Sequence, residues 1–247
     1  MRGYGQFCPV AKAAEIFAER WTPLILRELL CGSRYFSDLQ RGVPLISRAL
    51  LAQRLRDLET AGVITVTPKS SGQGHEYVLT DAGKEFQSII EGLSAWGQKY
   101  VKRFLGPDDL DADFLMFSIR RDPHLTLAPA GRIVVAFQFR GVPAANRSLR
   151  FYWLILEDGE LDICYRRPGF EEDLVVKADL GAFTRAWLGY IDYRREMRAG
   201  RIAINGPTKL AQSFWHWMGV VDRAKGVWLL YPEGADTSVR AAARAGR

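Results

Sequence analysis

The chain has 247 residues, of which 48% are hydrophobic and 25% charged, and its net charge is +6. The length suits two ordinary domains, each with a buried core. No apolar run approaches the roughly 18 residues of a membrane span, and the N-terminus lacks secretory-signal features. We therefore expect a cytoplasmic protein without a membrane partner, whose positive charge permits a nucleic-acid partner without demanding one.

The cysteines and histidines are few and scattered. The three cysteines are odd in number and form no C-x-x-C pair, which argues against a disulfide framework or a zinc site and favours reduced thiols. The sequence also lacks a G-x-S-x-G, P-loop or H-E-x-x-H motif. We therefore expect no enzyme activity, no cofactor and no metal site. The residues concerned are Cys8, Cys31, Cys164, His75, His124 and His216.

Three helices are predicted in the first 42 residues. The first begins at Pro9, a residue favoured in the first helical turn, and Pro23 is expected to break it. A second helix then ends at Gly32, and a short third helix ends at Gly42. An apolar stripe at helical spacing marks the first helix: Val10, Ala14, Phe17 and Trp21.

The next helix, in "ISRALLAQRLRDLETAG", combines an apolar side with a basic end. Ser47 is a favoured N-cap, and Gly62 is a favoured stop. Leu51, Leu55 and Leu58 recur at the spacing of one buried face. From Ser47 to Arg56 there are three arginines and no carboxylate, a composition that suits contact with a polyanion.

A hairpin and a long helix follow. The β-branched runs Val63–Thr67 and Glu76–Thr80 flank a loop of Pro, Lys, Ser, Gly and His, and a helix begins after Thr80 or Asp81. Its apolar side comprises Phe86, Ile89, Ile90, Leu93, Trp96 and Val101. Two helices joined by a tight turn and followed by a hairpin predict a winged helix-turn-helix.

The segment from "CPVAKAAEIFAERWTPLILRELLCG" through "HEYVLTDAGKEF" to "LSAWG", about residues 8–100, resembles the HxlR-type family of bacterial transcription regulators. The resemblance implies a homodimer whose interface is formed by the N-terminal helix and the long helix. It also implies an operator on double-stranded DNA with two half-sites about one helical turn apart.

Outward-facing residues on the basic helix are the candidates for DNA contact. Arginine reads guanine and glutamine reads adenine in the major groove, while a lysine in the wing suits phosphates. The alternative is that the basic face is merely solvated, and Arg54 could instead pair with Glu59 or Asp57. The predicted DNA-binding residues are Ser47, Arg48, Ala49, Ala52, Gln53, Arg56 and Lys69.

The remainder predicts an α+β domain with a mainly antiparallel sheet covered by helices. "ADFLMFSIRRD" predicts a short helix, and "RIVVAFQFRG" alternates like a half-buried strand. Asp158-Gly159 marks a hairpin, a further strand and a helix over "DLGAFTRAWLGYIDYRREMRAG" follow, and a last strand and helix close the domain. The predicted boundaries are 1–105 for the winged helix, 106–113 for a linker, 114–233 for the second domain and 234–247 for a flexible tail.

The phrases "LEDGELDIC", "DLVVKADLGAFTRAWLGY" and "MRAGRIAINGPTKLAQSF" resemble the sterol-carrier-protein-like fold over about residues 111–219. That resemblance implies an apolar cavity for a small hydrophobic ligand, although aromatic residues on strands and helices are also ordinary core. The candidate lining residues are Phe137, Phe139, Trp153, Trp187, Phe214 and Trp217, with His216, Gln138 and Tyr190 as polar candidates.

The sequence therefore predicts a DNA-binding transcription regulator with a ligand-sensing second domain. Two alternatives stay open. Cys8 lies where some members of the HxlR-type family keep a redox-active thiol, and a helix N-terminus and Lys12 would favour its thiolate, so the protein could be a redox-responsive regulator. Otherwise it could be a lipid-binding module that uses the winged helix only to dimerise.

Overall fold

The computed structural model describes residues 3–69, 74–101, 105–121, 128–143, 150–157 and 160–220. These residues form two compact units, with the division between Leu93 and Ser94. Among the described residues, no helix is both long enough and apolar enough to cross a bilayer.

The first unit is helical with one hairpin. Its elements are α1 (Pro9–Phe17), α2 (Thr22–Leu30), α3 (Phe36–Gly42), α4 (Arg48–Thr60), β1 (Ile64–Pro68), β2 (His75–Leu79), α5 (Asp81–Lys84) and α6 (Phe86–Tyr100), the last of which continues past the division. The core is made largely by aliphatic side chains of α2 and α4 that are at most 5% exposed: Ile25, Leu26, Leu29, Leu30, Leu51, Leu55 and Leu58.

The first helix is shorter than its apolar stripe predicts. α1 ends at Phe17, and Trp21 adopts a left-handed conformation with φ of 80° immediately before α2. Pro23 lies in the first turn of α2. The N–H groups of a first helical turn have no acceptor within the helix, so a proline there loses no hydrogen bond. Pro23 therefore suits the start of α2 as well as separating α2 from α1.

The hairpin is tied to both neighbouring helices. β1 and β2 pair antiparallel from Ile64 opposite Leu79 to Pro68 opposite His75. Tyr35 forms an isolated antiparallel bridge with Glu76, so the residue before α3 pairs with β2 of the hairpin. Thr80 caps α5 by accepting a hydrogen bond from the Gly83 N–H at 3.1 Å. The predicted wing tip, residues 70–73, lies outside the described residues.

The second unit contains a five-stranded mixed sheet in the order β5-β4-β3-β6-β7. β3 pairs antiparallel with β4 and parallel with β6, while β4–β5 and β6–β7 are antiparallel. Its elements are α7 (Ala112–Arg120), β3 (Ile133–Arg140), β4 (Phe151–Glu157), β5 (Glu160–Cys164), β6 (Leu174–Asp179), α8 (Leu180–Trp187), α9 (Tyr193–Arg198), β7 (Ile202–Asn205) and α10 (Thr208–Trp217).

Three details of this unit differ from the sequence prediction. β3 is buried on both faces, because as the central strand it also packs through Val134 and Ala136, which are 1% and 2% exposed. The helix predicted over residues 179–200 is two helices, separated at Gly189 with φ of 72°. The segment 106–113, predicted as a linker, contributes Leu110 and Ala112 to the core. The predicted Asp158-Gly159 turn, His124 and the tail 234–247 lie outside the described residues.

Candidate nucleic-acid interface

The N-terminal half of α4 is an exposed surface on a firmly seated helix. Ser47 caps it as predicted, since its Oγ accepts a hydrogen bond from the Leu50 N–H at 3.2 Å. The leucines predicted to face inward are at most 2% exposed. The opposite side is exposed at Arg48, Ala49, Gln53 and Arg56, and Ala52 is half-buried.

Arg54 faces a different way and holds the helix in place. Its guanidinium pairs with Glu19 at 2.6 Å and with Asp57 at 3.1 Å, and it also donates to the Arg20 carbonyl at 3.3 Å. The pairing with Asp57, one of the alternatives left open for Arg54 in the sequence, is therefore observed. Only 15% of the Arg54 side chain is exposed, so this arginine joins α4 to the α1–α2 connection and is not available to a phosphate.

Two neighbouring aromatic rings support two of the three cations expected to contact DNA. The Arg48 guanidinium lies 5.0 Å from the centre of the Phe36 ring, and the Lys69 ammonium lies 4.8 Å from the centre of the Tyr35 ring. A cation over an aromatic face is attracted by the negative face of the ring. The adjacent pair Tyr35-Phe36 thus holds one cation of α4 and one of the wing.

Gln53 and Arg56 are linked to each other. The Arg56 guanidinium donates to Gln53 Oε1 at 2.7 Å, and Gln53 Nε2 donates to Asp57 Oδ1 at 2.8 Å. This chain fixes the amide of Gln53 and places the Arg56 charge next to it. Both side chains stay exposed on the same side of α4 as Arg48.

The wing is anchored by polar contacts near α3. Arg34 pairs with Glu76 at 3.3 Å, and the Tyr77 N–H donates to the Arg34 carbonyl at 2.8 Å. Burial, and secondarily the charge of Glu59, raises the pKa of Tyr77 above its ordinary value. Lys69 directly follows β1 of this anchored strand pair.

The predicted pocket residues do not share one surface. Phe137, Phe139 and Phe214 pack in the core, with Phe137 ring centres 5.9 and 6.3 Å from the other two, and Trp217 packs on Phe214 at 5.0 Å. Trp153 lies opposite Ala136 in the sheet and therefore faces the other side, where it donates to Glu172 at 2.9 Å. Because side chains alternate between the faces of a strand, Trp153 cannot line a cavity with Phe137.

The remaining pocket candidates also separate. Trp187 is 6% exposed in the same core as Phe137. His216 is exposed on α10, whereas Gln138 and Tyr190 are half-buried, and burial raises the pKa of Tyr190. Trp217 is fully buried, and its Nε1–H has no hydrogen-bond partner in the described part of the chain.

Cys8 is exposed at the N-cap of α1, and Cys31 and Cys164 are half-buried. Lys12, expected to favour a Cys8 thiolate, instead pairs with Glu15 at 3.0 Å. Within the described residues, no group of three or more His, Cys, Asp or Glu side chains is arranged to hold a metal ion.

An exposed apolar stripe runs along α6. Of the apolar side predicted there, only Ile90 is fully buried. Ile89, Leu93, Trp96 and Tyr100 are between 46% and 57% exposed and recur at the spacing of one helix face. The N-terminal segment exposes apolar side chains as well, with Phe7 at 99% and Val10 at 76%.

Comparisons with known proteins concern the first unit. A family model described as HxlR-like helix-turn-helix matches residues 16–104. The HTH-type transcriptional regulator Rv3095 of Mycobacterium tuberculosis is 43% identical over 99 residues, which span 40% of this chain and 62% of the relative. YvaP of Bacillus subtilis, also described as an HTH-type transcriptional regulator, is 36% identical over 99 residues, which span 39% of this chain and 91% of the relative.

A solved structure, the reduced form of the transcriptional regulator YodB from B. subtilis, is 26% identical and covers 40% of this chain and 98% of its own, with a TM-score of 0.35. The family model ends at residue 104, so the resemblance of the second unit to sterol carrier proteins stays a prediction. Identity of more than 30% across nine-tenths of YvaP assigns the first unit. The chain belongs to the HxlR-type family of helix-turn-helix transcriptional regulators.

Proposed function

We propose that the protein is a cytoplasmic, homodimeric regulator that inserts the N-terminal half of α4 into the major groove of double-stranded DNA. The observation that carries this proposal is the exposed side of α4, which presents Arg48, Gln53 and Arg56, while the apolar side is buried. Helix-turn-helix proteins contact base edges with the N-terminal residues of the second helix.

The electrostatics of α4 support the same assignment. The first N–H groups of a helix lack intrahelical acceptors, and the helix dipole makes this end positive. Between Ser47 and Arg56 the only charged side chains are arginines, so a phosphate meets no repelling carboxylate there. Asp57 and Glu19, the nearest acids in contact with α4, are engaged by Arg54.

The dimer is proposed from α6. Four large apolar side chains on one face of a helix are costly in water, and covering them with a second copy would remove that cost. Two copies would present two α4 helices, which suits an operator with half-sites about one helical turn apart. Tyr4, Phe7 and Val10 of the N-terminal segment are proposed to join the interface.

DNA binding is tested by titrating fluorescent duplexes at several salt concentrations. We expect affinity that falls steeply with salt, because phosphate contacts release counterions. Arg48→Ala should lose roughly 1–3 kcal/mol of binding free energy if Arg48 reads a base, with stability unchanged. A loss below about 0.5 kcal/mol would remove Arg48 from the contact residues, and absence of binding at low salt would refute the proposed function.

A ligand-sensing role for the second unit is a further candidate, supported by the buried Nε1–H of Trp217, which has no hydrogen-bond partner among the described residues. A buried donor without a partner is costly, and the acceptor of a small hydrophobic ligand would relieve that cost. A candidate ligand should raise the thermal midpoint of the parent protein and change operator affinity. Unchanged operator affinity across a broad panel would discard this role.

The redox alternative rests on the exposure of Cys8 at the start of α1. If it holds, oxidants should change DNA affinity in the parent protein, and Cys8→Ser should abolish that response while leaving the affinity of the reduced protein intact. An identical oxidant response in Cys8→Ser would remove Cys8 as the sensor.

A further inference from the structure

Leu45 lies in the turn between α3 and α4 and is 84% exposed. On the helices that flank this turn, Leu39 is 0% exposed, Leu51 and Leu55 are at most 2% exposed, and Leu50 is half-buried. Single exposed leucines are common on protein surfaces, so exposure alone assigns no role. The role of Leu45 is instead inferred from its position and from the construction of its turn.

The turn is rigid without any contribution from the Leu45 side chain. Val43 and Ile46, on either side, are 1% and 3% exposed in the core of the first unit. The Ile46 N–H donates to the Val43 carbonyl at 3.2 Å, and Gln40 Nε2 donates to the Ile46 carbonyl at 2.7 Å. Leu45 is therefore presented outward from a backbone fixed on both sides, two residues before the N-cap of α4.

Exposed cations flank Leu45 along the chain. Ser47 and Arg48 are exposed on one side, and Arg41 is exposed on the other, with 57% of its side chain accessible. Asp38, which Arg41 contacts at 3.7 Å, is only 13% accessible. Leu45 and the adjacent exposed Pro44 thus form a small apolar segment with an exposed arginine before and after it in the chain. Such a segment complements DNA better than an apolar protein surface, which would leave those charges desolvated.

We propose that Leu45 contacts the C5-methyl group of a thymine in the major groove and thereby helps to determine the operator sequence. The inference rests on the proposed DNA-binding function, which brings this end of α4 to the base edges. The thymine methyl is the apolar group that the major-groove edge of a base pair displays, and aliphatic and aromatic side chains recognise it by contact.

The test removes each partner of the contact in turn. A duplex is first selected with the parent protein from a random pool, and each thymine of its half-sites is then replaced by uracil, which lacks only the methyl group. Parent protein should lose about fourfold in affinity at one position per half-site, the effect expected for burying one methyl. Leu45→Ala should bind the thymine duplex about as weakly as the parent protein binds the duplex with that uracil. Replacing the same thymine by uracil should then cause no further loss of affinity in Leu45→Ala.

Leu24→Ala is the matched control, because Leu24 is also an exposed leucine of the first unit (38%) but lies on α2. It should keep the parent response to every uracil. If Leu45→Ala also keeps that response, Leu45 reads no methyl and the inference is overturned, although DNA binding itself stands. If the parent protein selects no duplex at low salt, the proposed function fails, and the inference fails with it.

Discussion

Two arginines of α4 have different roles because their contacts differ. Arg54 contacts two carboxylates and a carbonyl and is 15% exposed, so its charge is paired within the protein. Arg48 is exposed and rests on the Phe36 ring at 5.0 Å. Because guanidinium N–H groups lie in the plane of the group, an arginine stacked on a ring can still donate from its edge to a base or phosphate.

The support of Arg48 by Phe36 makes a prediction. Phe36→Leu keeps an apolar side chain at the edge of the core but removes the aromatic face, so Arg48 loses its preferred orientation. We expect DNA affinity to fall by roughly two- to fivefold, in keeping with about 0.5–1 kcal/mol for an exposed cation–π contact. Fluorescence anisotropy measures the affinity, and the thermal midpoint checks the fold.

Phe36→Tyr is the control for this prediction, since it retains the aromatic face and should bind like the parent protein. Equal affinities of the leucine and tyrosine variants would show that the ring does not orient Arg48.

At the residue scale, local pattern was enough to predict some features of the site. The Ser47 cap and the buried leucines of α4 follow from spacing along one helix, and both are confirmed. The Glu19 partner of Arg54 lies 35 positions away and was missed, since only the folded chain brings them together. Leu45 was also missed, because its exposure depends on how Val43 and Ile46 pack.

At the scale of elements, capping and stop residues located helix ends better than apolar stripes did. Thr80 and Gly62 mark ends that the structure confirms. The stripe of α1 instead extended the predicted helix as far as Trp21, which has a left-handed backbone. In the second unit, the alternating pattern along β3 predicts one buried face. The other face is buried as well, through Val134 and Ala136, and the smaller side chains there do not indicate this burial in the sequence.

The exposed stripe of α6 yields a prediction at this scale. Leu93→Lys places a charge in the proposed subunit interface, where desolvating it is costly, so the variant should sediment as a 27.9 kDa monomer while the parent protein is a dimer. DNA affinity should fall by at least tenfold, because one α4 per particle replaces two linked ones.

Ser88→Lys controls for the added charge on α6, since Ser88 is exposed but lies about 120° around the helix from the stripe. It should remain dimeric. A dimeric Leu93→Lys protein would contradict the assignment of this stripe to the interface.

For the whole molecule, the two units were predictable to different depths. The first unit carries punctuating glycines, prolines and caps that specify a winged helix-turn-helix, and the family assignment agrees with it. The second unit was predicted to contain a sheet, and it does. Its proposed cavity could not be placed from sequence, because the same aromatic residues serve a packed core, as Phe137 and Phe214 do, or the opposite face, as Trp153 does.

The central claim is that the N-terminal end of α4 meets the phosphates and bases of DNA, and the most direct test is Ala49→Glu. Ala49 is exposed there, and an acid near a helix N-terminus favours the helix, so the variant should keep the fold, which its thermal midpoint checks. Thr60→Glu adds the same charge at the exposed far end of α4, roughly 16 Å away and beyond the Debye length of about 8 Å at physiological salt.

The measurement is the duplex affinity of both variants at physiological salt. We predict that Ala49→Glu loses at least tenfold in affinity, through repulsion of phosphates at the groove, while Thr60→Glu stays within about twofold of the parent protein. Equal affinities of the two variants would contradict the account.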